Sequence, residues 1–213
     1  MRADPESKIG TGTREALIEA ALVLFAGKGF EVVSVRDITG AAGANVASVK
    51  YHFGSRENLI DVVVARLVTP VNVERIRRID QLAEREGIAT VRDLLEALFE
   101  PLLSQIKESP VSEKLFCKLM GRIVGERPYE FPEVIMGQLR QIAERFIPGF
   151  MKAVPGLTRE SALWKIHFSF GVLSSTLMHG ELLKQISGGS VGDENLETTF
   201  IRIIDYCEAG FLK

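Results

Sequence analysis

The segment Ser34–Phe53, S-V-R-D-I-T-G-A-A-G-A-N-V-A-S-V-K-Y-H-F, constrains the fold more than any other stretch of the chain. Ser34 is an N-cap residue directly before Val35, and Gly43 stands where a first short helix should stop. Asn45 can then cap a second short helix beginning at Val46. Two short helices joined by a tight, glycine-containing turn make a helix-turn-helix. At about 100° per residue the second helix has two faces. Val46, Val49 and Phe53 turn toward a core, while Ala47, Ser48, Tyr51 and His52 turn outward with Lys50 at the flank. The outward set joins two small residues to several donors and carries no acid. Small residues let a helix approach base edges in the major groove, and longer donors reach phosphates, which set register and affinity. Many helical hairpins never touch DNA, so spacing alone leaves a DNA reader and a merely solvated helix equally open.

Charge and composition narrow the choice. The 213 residues carry a net charge of −2, which argues against a generally basic nucleic-acid protein. Locally the balance differs. Residues 32–56 hold Arg36, Lys50 and Arg56 against Asp37 alone, whereas residues 188–213 are dominated by acids. A slightly basic head and an acidic tail fit a small DNA contact on a body that avoids DNA. Cys117 and Cys207 each lie in an apolar helical pattern and read as buried, reduced thiols. No apolar run approaches the ~18–20 residues that span a bilayer, and no signal or lipidation motif is present, so a soluble, cytoplasmic protein without membrane partners is expected. His167 and His179 sit about 120° apart around one helix and make no metal pair. No catalytic constellation, phosphate-cradling glycine motif or cofactor motif occurs, so neither an enzyme nor a cofactor is expected.

Read in order, residues 1–12 form a loose arm, and Thr13 caps a helix with Leu17, Ala21, Leu24 and Phe25 inside, ended by Gly29. Phe30 and the Val32–Val33 pair close a small core beneath it. Ser55 opens a helix with Leu59, Ile60, Val63, Val64 and Leu67 inward, which Thr69–Pro70 breaks or kinks before spacing resumes to about Glu86. Thr90 caps a helix kinked at Pro101, and Pro110–Val111–Ser112 opens another. Residues 125–131 connect to a helix kinked at Pro148. Thr158 begins a long helix to about Ile186, and Asn195 begins a last one to about Phe211. The last two are apolar on more than one stripe and need partners on two sides.

Four motifs taken together, A-A-L-V-L-F-A-G-K-G-F, S-V-R-D-I, A-A-G and Y-H-F-G-S-R-E-N-L-I, resemble the DNA-binding domain of TetR/AcrR-type transcriptional repressors over roughly residues 13–66. The resemblance implies an all-α fold with a three-helix DNA-binding domain at 13–54 and a helical ligand-binding and dimerisation domain at 55–213. It also implies DNA contacts from Ser34 and Arg36 on the first short helix and from Asn45, Val46, Ala47, Ser48, Lys50, Tyr51 and His52 around the second. The chain departs from the pattern at Thr39–Gly40, where a mid-helix glycine costs about 1 kcal/mol against alanine. Val46 replaces a common lysine and can meet a thymine methyl, and Lys50 replaces a common aromatic.

W-K-I-H-F-S-F-G and L-F-C-K-L-M-G-R resemble more weakly a PsrA-like branch that answers to fatty acids or acyl-CoA. The expected effector is therefore a small apolar molecule, lined by Phe99, Leu103, Phe116, Met120, Ile123, Phe146, Phe150, Phe168 and Met178. Any one of these residues is more often simple core. Small residues on the long helix allow close approach, and the resemblance implies a homodimer through Trp164, His167, Gly171, Ser174 and Ser175 with Phe200 and Ile204 of the last helix. Two heads about one helical turn apart, ~34–36 Å, would read a near-palindromic double-stranded operator. The competing reading is a helical ligand-binding or scaffold protein whose head has lost DNA, left open by Val46 and Gly40.

Overall fold

Capping chemistry sets the helix boundaries in the computed structural model, which describes residues 5–109, 112–125, 131–192 and 195–213. Among the described residues the chain forms nine α-helices and no strand. They are α1 (Pro5–Lys28), α2 (Val35–Ala41), α3 (Ala47–Phe53), α4 (Arg56–Glu84), α5 (Val91–Glu108), α6 (Glu113–Gly125), α7 (Glu133–Ala153), α8 (Arg159–Ile186) and α9 (Leu196–Leu212). Ser34 and Thr90 make full capping boxes with Asp37 and Asp93, and the side chains of Thr158 and Asn195 accept from the backbone of Ser161 and Thr198. α1 differs from expectation. It is helical from Pro5, ahead of Thr13, because proline suits a first helical turn whose N–H groups are unsatisfied in any case. Residues 1–4 of the expected arm, the Pro110–Val111 pair and residues 126–130 of the expected connector lie outside the described residues.

The chain divides into two compact units, Met1–Leu67 with Val111–Pro132, and Val68–Pro110 with Glu133–Lys213. In the first, α1 is buried on more than one face through Leu17, Ile18, Ala21, Leu22 and Phe25. It packs on α2 and α3 and also on α6, which buries Phe116, Leu119 and Ile123. The boundary expected after residue 54 therefore falls inside this unit. A long α1 that is apolar most of the way round needs more cover than the two short helices supply. Val33 is buried as expected, but Val32 is exposed.

In the second unit α5 packs on α7 and α9, and α8 on α7 and α9. Leu94, Leu98, Phe99, Phe146, Phe150, Phe200 and Phe211 form its core, with the Phe150 and Phe211 rings stacked at 4.2 Å. Arg92 reaches Asp205 and Glu208 across the α5–α9 seam, and Lys107 pairs with Glu197. Pro70, Pro101 and Pro148 all lie inside continuous helices, so of the break or kink expected at Thr69–Pro70 the break does not occur. Each proline removes one hydrogen bond, which packing on either side outweighs. The long α8 does carry one irregularity, at His179 (φ −116°, ψ 19°). Among the described residues no helix is long and apolar enough to cross a membrane.

Candidate functional site

The turn between α2 and α3 depends on Gly43, whose φ of +62° lies in the region that side chains with a Cβ rarely adopt. Asn45 Oδ1 accepts from the Ala47 backbone N–H at 2.9 Å, so it stabilises the start of α3 although the formal cap is Val46. At the other end Gly54, φ +79°, lets its N–H reach the Lys50 carbonyl at 3.0 Å. Held between these points, α3 buries Val49 and Phe53, and Arg14 of α1 sits 5.4 Å over the Phe53 ring.

The opposite face of α3 is open. Tyr51 is 84% exposed, Lys50 and Ala47 are exposed, and Ser48 and His52 are half-buried. Tyr51 and His52 meet edge to face at 4.9 Å. Val46 was expected to turn inward, but it is half-exposed in the turn that enters the helix and stands beside the outward set. Arg36 is exposed on α2.

Two residues have other work. Ser34 donates both its backbone N–H, at 2.8 Å, and its hydroxyl, at 2.6 Å, to Asp37 Oδ2. It thereby completes the capping box of α2. The Ser34 hydroxyl and N–H hold the Asp37 carboxyl below the usual carboxylate range, so the acid of this segment is spent at a helix N-terminus. Arg56 does not add its charge to an open face either. Its guanidinium donates to the carbonyls of Val33, at 3.0 Å, and Phe30, fastening the loop that leads into α2.

The nine residues expected to line one pocket are distributed over both units. Phe116, Met120 and Ile123 lie in the first unit on α6, while Phe99, Leu103, Phe146, Phe150, Phe168 and Met178 lie in the second. Phe99, Phe116, Ile123, Phe146 and Phe150 are fully buried core, and Leu103, Met120 and Met178 are half-buried. Phe168 is 59% exposed and faces a shallow groove between α8 and α9 with Trp164, Val172, Tyr206 and Phe211. Apolar character at helical spacing marks core and pocket alike, which is why these residues could not be separated from sequence.

The expected dimer face divides too. Trp164, His167, Gly171 and Ser175 are exposed and Ser174 is half-buried, but Phe200 and Ile204 are buried in the chain's own core. α9 shows Ile201, Tyr206 and Leu212 instead. On α8 the exposed set Trp164, Phe168, Gly171 and Ser175 recurs at spacings of four, three and four, a stripe along the part of the helix before His179, beyond which Leu182 and Ile186 are exposed. Trp164, His167 and Phe168 contact one another ring to ring at 5.5–6.0 Å.

The second unit also contains a polar chain that sequence reading missed. Asn72 and Arg75 of α4 are buried, at 0% and 6% exposure. Arg75 Nη1 donates to Asn72 Oδ1 at 3.0 Å, Asn72 Nδ2 to Gln138 Oε1 at 3.0 Å, and Gln138 Nε2 to Thr69 Oγ1 at 3.4 Å. A signal was present, because Val71, Arg75 and Ile79 stand four apart and put an arginine in the inner stripe. Cys117 is buried, and desolvation pushes its thiol up to about 11, which keeps it protonated and unreactive.

Residues 17–63 match the family described as bacterial regulatory proteins, tetR family, and residues 96–210 match the tetracyclin repressor-like C-terminal domain. The HTH-type transcriptional repressor KstR2 of Rhodococcus jostii (strain RHA1) is 39% identical over 54 residues, 25% of this chain and 26% of the relative. The probable HTH-type transcriptional regulator YttP of Bacillus subtilis (strain 168) is 40% identical over 53 residues, with the same coverage. The chain thus spans about a quarter of the length of these curated relatives. Among solved structures, Mycobacterium smegmatis AmtR superposes with a TM-score of 0.59 at 16% identity, covering 93% of this chain and 85% of that one. The ketosteroid transcriptional regulator KstR2 of Mycobacterium tuberculosis does so with 0.58 at 16%, covering 94% and 95%. Identities this low show a shared fold alone.

Proposed function

The chain belongs to the TetR family of bacterial regulatory proteins, and from that premise we propose that it is a DNA-binding transcriptional repressor that reads a near-palindromic operator as a homodimer and is released by a small apolar effector. TetR-family proteins are non-enzymatic regulators, and no reaction is assigned to this one. The observation that carries the reading is the open face of α3, where an 84% exposed tyrosine stands beside an exposed lysine and two small residues while Val49 and Phe53 pin the reverse side. An exposed aromatic ring gains nothing for folding. On DNA it gains a surface. In this reading Ala47 and Ser48 approach base edges, Val46 meets a thymine methyl, and Arg36, Asn45, Lys50, Tyr51 and His52 reach the backbone or the groove wall. Ser34 is a further candidate contact at the N-terminus of α2, which it also caps.

The dimer reading is supported by the α8 stripe, whose Trp164 and Phe168 are more than half exposed among the described residues. The exposed small residues Gly171 and Ser175 would allow the partner's helix to come close. The effector reading places the ligand in the second unit. Nothing in the shared head with KstR2 of Rhodococcus jostii bears on which ligand that is.

An electrophoretic shift with the DNA upstream of the protein's own gene tests the reading. The wild type should retard this DNA, and Tyr51→Ala should weaken the complex with the dimer intact, each such contact being worth roughly 1–3 kcal/mol. Lys50→Ala should weaken binding to every sequence and lower the salt slope by about 1. Absence of any shift would support the competing reading of a head that has lost DNA.

A further inference from the structure

Arg75 is a buried cation without a buried anion. Among the described residues no carboxylate reaches its guanidinium, whereas Arg77, Arg78, Arg92, Arg140 and Arg145 each pair with one near the surface. Its Nε donates to the Leu98 carbonyl at 2.7 Å, Nη1 donates to Asn72 Oδ1, and the Phe170 ring lies 5.3 Å away. Nη2 meets no acceptor among the described residues. The Leu98 carbonyl lies one residue after the Ala97 carbonyl that Pro101 leaves without its helical donor, so the Nε contact is an additional bond to α5. It does not account for the charge. Neutral donors could serve Leu98 and Asn72, yet an isolated charge in a low-dielectric interior is costly unless an anion neutralises it. Burial draws the guanidinium down to about 10, the direction expected of a cation lacking a counter-charge.

From this arrangement we propose that Arg75 anchors an anion-binding site in the second unit and receives, through its free Nη2 edge, the carboxylate or phosphate-type headgroup of an otherwise apolar effector. The proposal rests on the reading of the second unit as effector-responsive and names the chemistry of that effector. Leu98 and Asn72 hold the guanidinium plane through Nε and Nη1, so the charged Nη2 donors keep a fixed direction toward an oxyanion. Asn72, Gln138 and Thr69 form a hydrogen-bonded polar track from the buried guanidinium to half-exposed side chains, the polar side of the proposed site. Phe99 and Phe170 meet edge to face at 5.8 Å beside it, the apolar side.

The test is isothermal titration of the full chain with dodecanoate, dodecyl phosphate, dodecanol and inorganic phosphate, all below micellar concentrations. The two amphiphilic anions should bind at least about tenfold tighter than dodecanol, and inorganic phosphate only weakly. Arg75→Gln should erase that preference while leaving dodecanol binding as it was. Equal binding of dodecanol and the anions, or a preference that survives Arg75→Gln, overturns the site. Preference from inorganic phosphate alone, with no gain from the alkyl chain, overturns the effector headgroup as its source. Should the glutamine variant fold poorly, Arg75→Lys decides, because it keeps the charge and loses the fixed Nη2 donors. Anion affinity should then fall severalfold, and an unchanged affinity overturns the Nη2 contact. A gel shift separates this site from its parent reading. Anions that bind through Arg75 but leave the DNA complex intact uphold the site and defeat effector release. Release by dodecanol without anion preference does the reverse.

Discussion

Gly40 lies inside α2, although no turn or close approach at that position calls for a glycine: a Cβ built there meets no atom within 4 Å. The neighbouring Thr39 is buried and returns its hydroxyl to the Val35 carbonyl at 3.0 Å. Replacement of Gly40 by alanine should therefore remove only backbone entropy from the unfolded chain. Gly40→Ala is expected to stabilise the protein by roughly 0.5–1 kcal/mol, a rise in melting temperature of about 2–4 °C per kcal/mol for a chain of this size. Differential scanning calorimetry measures it, and a lower melting point would mean that α2 needs the freedom of glycine. Gly43 is the contrasting case, because its φ of +62° would strain any residue with a Cβ. Two glycines three residues apart thus have opposite tolerance, and only the backbone conformation tells them apart.

At the scale of the element, α4 carries two kinds of arginine. Glu74 accepts from Arg77 at 2.5 and 2.6 Å and from Arg78 at 2.8 Å, and Arg78 continues to Glu100 of α5. The hydrogen bonds from Arg77, reinforced by Arg78 against a smaller opposing desolvation, hold the Glu74 carboxyl at about 2. A carboxyl whose folded pKa lies below its ordinary value near 4.5 stabilises the fold while ionised. That contribution is complete above about pH 4.5 and is lost as the pH falls toward 2. Partly exposed pairs are worth about 0–1 kcal/mol, so the effect is modest. Glu74→Gln should lower the melting temperature slightly at pH 7, and the difference from wild type should shrink between pH 4.5 and 2. A difference constant across that range would show that the ion pairs contribute nothing. Arg75, one residue along, points inward and has no such partner, so the same helix holds both a solvated ion network and a buried charge.

For the whole molecule, the main consequence is the unpartnered stripe on α8. Phe168 and Trp164 are more than half exposed, meet each other and His167 ring to ring, and border the shallow groove toward α9. A charge placed there should leave the chain's own core untouched. Phe168→Glu is expected to halve the mass measured by light scattering, with the helical content unchanged, and to weaken operator binding because one head loses the other. A wild type that is already monomeric, or a variant whose mass does not change, would remove α8 from the dimer reading.

Local chemistry was legible along the chain. Caps at Ser34, Thr90, Thr158 and Asn195 announce helix starts, because side-chain oxygens satisfy N–H groups within three residues of themselves. The outward face of α3 was legible for the same reason, since one short helix places Lys50, Tyr51 and His52 by its own periodicity. What lies beyond one helix was decided only by tertiary structure. Sequence periodicity could not tell that α6 belongs with α1, that Phe200 and Ile204 are core, or that Phe168 is surface. An apolar side chain at helical spacing is equally consistent with core, pocket and interface until the covering element is known. Arg75 is the extreme instance. Its spacing from Val71 and Ile79 puts it in the inner stripe while its charge argues for solvent, and the conflict is resolved as a buried cation only where α4, α5 and α8 close around it.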